Sequence, residues 1–109
     1  MFRIRRIHDD VLEANRAALE KVQELLRARF PDLPEERVAE IPAQLRDPVT
    51  NGFRTVVFVA ETPEELRGAA VLLHAPDLSF CFLDFIASRA DETGSGIGGA
   101  LYERIREEC

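Results

Sequence analysis

The sequence predicts an α+β fold: one antiparallel β-meander with helices on both faces, in the order β-α-α-β-β-β-α. Three observations carry this expectation. The run Val56-Val57-Phe58-Val59-Ala60 is apolar without alternation, the pattern of a strand covered on both sides. The connections at residues 62–65 and 76–79 are far shorter than the dozen or so residues a parallel crossover needs, so the strands they join are antiparallel neighbours. Helical periodicity, with apolar positions three and four apart, precedes and follows this meander.

Each element has its own local reason. Phe2, Ile4 and Ile7 alternate with Arg3, Arg5 and Arg6, with one slip, as in a short half-exposed strand. Asp10 and Glu13 form a capping-box pattern for the first helix. Leu12, Leu19 and Leu26 then recur every seven residues, with Val11, Ala18, Val22 and Leu25 on the same side, to about Arg29; Pro31 stops the helix. Pro34 followed by Glu35 and Glu36 opens a second helical piece with Val38, Ile41 and Leu45 inward, which Pro42 breaks or kinks. Asp47-Pro48 and Asn51-Gly52 are turn chemistry. Strands over 55–61, 68–75 and 80–88 follow. From Gly98 the chain is helical, with Leu101, Tyr102 and Ile105 on one side and Glu103, Arg104, Arg106, Glu107 and Glu108 on the other.

The chain has 109 residues, room for a single domain over 1–109. Its 46% hydrophobic and 31% charged residues are the balance of a soluble globular protein. No apolar run approaches the length that crosses a bilayer, and the basic start lacks the apolar stretch and cleavage site of a signal peptide. A cytoplasmic location and no membrane partner are the expectation. The net charge of −6 repels phosphate backbones, so no nucleic-acid partner is expected either. Cys81 and Cys109 are the only cysteines and read as a buried and a terminal thiol; with no Cys/His cluster, no metal site is expected.

The chemistry concentrates in Thr93-Gly94-Ser95-Gly96-Ile97-Gly98-Gly99, between the last strand and the last helix. Glycines let a ligand approach the backbone, and a helix start presents unpaired amides with a partial positive charge, so the segment suits phosphate oxygens. Three other readings compete. Glycines can serve tight packing alone. Gly94-Ser95-Gly96-Ile97-Gly98-Gly99 satisfies the GxGxxG dinucleotide pattern, but that pattern belongs in a βαβ unit with an acidic residue about twenty positions on, which here falls beyond Cys109. A P-loop needs Gly-Lys-Ser/Thr, and no lysine is near.

The run Leu83-Asp84-Phe85-Ile86-Ala87-Ser88 leading into Thr93–Leu101, together with the element order, resembles the GCN5-related N-acetyltransferase (GNAT) superfamily. That family's acetyl-CoA signature is Arg/Gln-x-x-Gly-x-Gly/Ala followed by a leucine. Gly96, Gly98 and Leu101 match; Thr93 stands where Arg or Gln is usual, and Ala90 where proline is common. The resemblance implies an αβα-layered, acyl-CoA N-acyltransferase-like fold. It further implies that backbone groups of Ile86 and Ser88 hold the pantetheine arm, while Thr93, Gly94, Ser95, Gly96, Ile97, Gly98 and Gly99 hold the pyrophosphate. Acetyl-CoA is then the co-substrate and an unidentified amine the acceptor.

Acetyl transfer to an amine needs a group to take the amine's proton. The family commonly places it on the fourth strand, which selects Asp84, mid-strand and read as facing the same side as Phe80, Phe82 and Ile86. Glu61 and His74 are weaker candidates, His8 reads as a surface or capping residue, and Tyr102 as helix packing. The family's fold continues with a fifth strand splayed from the fourth, a helix that often bears a general-acid tyrosine, and two strands, so the resemblance implies a truncated domain. Three explanations stay open: a fragment of a longer acetyltransferase, a fold completed by pairing with another chain (a homo-oligomer) through the exposed fourth-strand edge, or a reduced protein that no longer catalyses. The alternative to an acetyltransferase is a non-catalytic CoA-binding or assembly module.

Overall fold

The computed structural model describes residues 2–8, 11–46, 54–75, 80–89 and 96–108. The elements are β1 (Arg3–Ile7), α1 (Glu13–Arg29), α2 (Glu35–Ala39), α3 (Ile41–Arg46), β2 (Arg54–Glu61), β3 (Leu66–Ala75), β4 (Phe80–Ser88) and α4 (Ile97–Glu108). The strands form one antiparallel sheet in the order β1-β2-β3-β4; the short connections require this for β2–β3 and β3–β4, and β1, joined to β2 through three helices, pairs antiparallel as well. The two helical pieces before β2 are separate: Pro42 lies in the first turn of α3, where its missing N–H costs nothing.

The unalternating apolar run of β2 has a direct structural meaning. Val57 and Val59 face a core built with Ala18, Leu19, Val22, Leu25 and Leu26 of α1 and with Val38, Ile41 and Leu45. Val56, Phe58 and Ala60 face a second core under Ile97, Leu101 and Ile105 of α4. All five β2 residues are almost fully buried. The sheet therefore separates two apolar layers, each contributing about 1.5–3 kcal/mol per large side chain buried.

Three sequence expectations change. The residue capping α1 is Leu12, with no side-chain cap hydrogen bond, because the helix starts later than the Asp10–Glu13 pattern suggests; Asp10 itself lies outside the described residues. Val11 and Leu12 consequently precede the helix and are 74% and 63% exposed rather than on its buried face. Cys81, expected as a thiol, is disulfide-bonded; Cys109 is outside the described residues. The turns at 47–48, 51–52 and 76–79 also lie outside them.

Candidate functional site

β4 is the outermost strand of the sheet, and among the described residues its outer edge pairs with nothing. A cavity of about 530 Å³ lies along it, lined by Arg29 and Phe30 at the end of α1, Ile86, Ala87 and Ser88 of β4, and Gly98 and Tyr102 of α4. Because α1 and α4 cover opposite faces, the cavity wraps around the strand's edge. It joins Ile86, Ser88 and Gly98, three residues that the sequence assigns to one cofactor. Tyr102, read as helix packing, is exposed and lines this cavity instead.

The start of α4 is shaped by four residues. Gly96 has φ = 86°, a left-handed conformation that favours glycine. The first intrahelical hydrogen bond runs from the Ala100 amide to the Gly96 carbonyl at 3.0 Å, so the amides of Ile97, Gly98 and Gly99 have no acceptor inside the helix. Ile97 anchors this turn, its side chain buried beneath α4. Gly98 and Gly99 point away from the protein: a Cβ at either would meet nothing within 4 Å among the described residues. Thr93, Gly94 and Ser95 lie outside the described residues.

Gly68 supplies the contrast. A Cβ there would lie 2.7 Å from Ile97 Cγ2, 3.0 Å from the Ala87 carbonyl oxygen and 3.4 Å from Leu101 Cδ1. Gly68 is a packing glycine, letting α4 settle on β3. Gly98 and Gly99 have no such reason. In a helix each is less favourable than alanine by up to about 1 kcal/mol, and no described residue packs against them in return. Packing among the described residues therefore does not explain them.

Asp84 stands where the β3–β4 register slips. Val71 pairs with Phe85 and Leu72 with Leu83, leaving Asp84 as the extra residue of a bulge. Bulges re-aim side chains, and this one corrects the expected facing. Ile86 packs toward the α4 core, whereas Asp84 reaches the α2 side with its neighbour Phe85. There Arg37 Nη2 donates to both Asp84 carboxylate oxygens, at 3.1 and 3.2 Å. The Arg37 guanidinium also lies 5.6 Å from the centre of the Phe85 ring, which in turn packs against Phe30 at 5.7 Å. The Asp84 side chain keeps 25% of its surface exposed. α2 is itself tied to α1: Arg27 Nε donates to Glu35 Oε2 at 2.9 Å, and this hydrogen bonding holds the Glu35 carboxyl below its ordinary pKa.

The other titratable candidates lie elsewhere. Glu61 accepts from Arg5 Nε at 2.7 Å and belongs to a larger cavity of about 780 Å³ between β1, α1 and the 62–65 turn, at the opposite edge of the sheet from β4. Arg5 in its lining is engaged internally, also donating to Asn15 Oδ1 at 2.6 Å. His74 is half-buried in β3 opposite Cys81, towards the far end of β4 from Ser88. His8 is exposed just after β1. No group of three metal-ligating side chains occurs among the described residues, and none of their helices is long and apolar enough to cross a membrane.

Arg29 and Arg37 were not singled out by the sequence. Each sits on a helix in a chain with thirteen arginines, and only the packing of α1 and α2 against β4 sets them apart.

The fold is similar to that of GCN5, as the resemblance implied. The crystal structure of Tetrahymena GCN5 matches 99% of this chain with a TM-score of 0.78 at 17% sequence identity. The match spans 62% of the GCN5 chain. No protein-family model and no curated protein matches the sequence.

Proposed function

We propose that this chain binds acetyl-CoA along the edge of β4 and at the start of α4, as part of an N-acetyltransferase that acts on an amine by direct transfer. The observation that carries this reading is the pair Gly98 and Gly99. They carry the conformational cost of glycine on a helix turn that is open among the described residues and whose amides lack intrahelical acceptors, an arrangement that lets a ligand come close. The cavity fits the remainder of such a ligand, since pantetheine amides can pair with strand backbone as an added strand does. In this reading backbone groups of Ile86 and Ser88 hold the pantetheine arm, and amides from residues 94–99 hold the pyrophosphate. The GCN5-type fold supports an acyltransferase.

The bound co-substrate supplies an acetyl thioester. The protein's part is to fix it against β4 and to receive the proton that the acceptor nitrogen sheds. Asp84 is assigned this proton, directly or through a held water. Its bulge turns it off the regular β4 pattern, and Arg37, braced on Phe85, orients the carboxylate. An acceptor amine would reach it from the α2 side.

Calorimetric titration with acetyl-CoA, followed by an acetylation screen over small amines, tests the proposal. Binding with turnover supports it; no heat and no thermal shift at millimolar acetyl-CoA refutes it. The exposed β4 residues Phe82 and Leu83 favour a second reading, in which copies of the chain assemble through this edge. A monomer at all concentrations in analytical ultracentrifugation removes that reading.

A further inference from the structure

We infer that Arg29 is the cationic contact for the phosphates of the bound nucleotide, taking the role of the basic or amide side chain that Thr93 does not supply. The inference rests on the acetyl-CoA reading above and assigns the residue that selects for the coenzyme's charged half.

An acidic protein that holds a polyanion through backbone amides needs positive charge at the site, because a net charge of −6 opposes the ligand's approach. Among the described side chains lining the β4-edge cavity, Arg29 carries the only full positive charge. It is the last residue of α1, and it shares the cavity's lining with Gly98 of α4, on the other face of the sheet. A phosphate held by the α4 amides would therefore meet the Arg29 guanidinium from the other side.

The other arginines near this end of the fold are already engaged. Arg27, half a turn earlier, is gripped by Glu35. Arg37 holds Asp84. Arg89, just past β4, pairs with Glu65. The Arg29 side chain is exposed and makes no ion pair or hydrogen bond with a described residue. A planar guanidinium suits phosphate oxygens because it can donate two parallel hydrogen bonds. Placement at the end of α1 also gives Arg29 an ordinary job, complementing the negative end of the helix dipole. The two roles have different signatures: the dipole role acts on stability without ligand, the phosphate role on affinity.

The test compares the wild-type chain with Arg29→Gln and Arg29→Lys by calorimetry, using acetyl-CoA and acetyl-dephospho-CoA, with the unliganded thermal midpoint of each protein recorded. Arg29→Gln is expected to weaken acetyl-CoA about ten-fold or more, the loss typical of one charge-assisted hydrogen bond. Arg29→Lys should recover part of that loss, and the deficit should shrink as sodium chloride is raised. A deficit confined to acetyl-CoA places Arg29 on the 3′-phosphate; one shared with acetyl-dephospho-CoA places it on the pyrophosphate. Arg29→Gln binding acetyl-CoA within about two-fold of wild type, with or without a lower midpoint, overturns the assignment while leaving the acetyl-CoA reading intact. Wild-type protein that binds neither ligand overturns both.

Discussion

Replacing Gly98 and Gly99 together by alanine should make the protein more stable and worse at binding. Neither position has a left-handed φ, and at both the space for a methyl group is open among the described residues. The substitution therefore introduces no clash. It removes conformational freedom from the unfolded chain, contributing about 0.4–1 kcal/mol per site. The pair sums to roughly 1–2 kcal/mol, and a domain of about 100 residues gains some 4–8 °C per kcal/mol, so the unliganded midpoint should rise by about 4–15 °C. The same two methyl groups would occupy the approach to the helix-start amides, where a phosphate must come within hydrogen-bonding distance. A ligand at a hundred times its dissociation constant stabilises by about 2.7 kcal/mol; a hundred-fold loss of affinity leaves about 0.4 kcal/mol of this. Thermal melts with and without saturating acetyl-CoA read both effects. If the double variant melts below wild type without ligand, or keeps the full ligand-induced shift, the glycines are not there for a ligand and the reasoning fails.

Gly68→Ala should have the opposite sign without ligand. Its Cβ would press on Ile97 and on the Ala87 carbonyl, so a loss of about 1–3 kcal/mol is expected in denaturant titrations. Leu101→Ala empties the centre of the α4 core and should cost about 2–5 kcal/mol, with amide exchange in α4 rising ahead of that in α1. Asp84→Asn should lower turnover of an amine acceptor by about 100-fold or more while acetyl-CoA affinity, read by calorimetry, stays near wild type. Unchanged turnover in that variant removes Asp84 from the mechanism.

Periodicity made the layers legible. The apolar repeat of α1, the two-sided burial of β2 and the 97/101/105 spacing of α4 each reflect an element that must hide one stripe or two faces. The same reasoning broke down where a single residue departs from the period. A bulge at Asp84 shifts the pairing by one and cannot be seen in the alternation of Phe82, Asp84 and Ile86. The cap at Leu12 was missed because Asp10 and Glu13 satisfy a local pattern that the helix does not use. At the site, the glycines announced themselves, since few residues do what they do. Arg29 and Arg37 did not. An arginine's surroundings are fixed by tertiary packing: Arg29 comes to line one cavity with Ile86, Ser88 and Gly98, and Arg37 meets Asp84, 47 positions further along the chain.

The cavity's position around the rim of the sheet has a mechanical consequence. Among the described residues the two apolar layers share no side chains; with the sheet between them, α1 and α4 would loosen separately. A molecule seated against Arg29, Ser88 and Gly98 touches both layers at once. It would act as a clasp across the rim, making the fraying of either helix an event that the other must join. Occupancy would then be registered as cooperativity between the two halves of the fold, well away from the atoms that react.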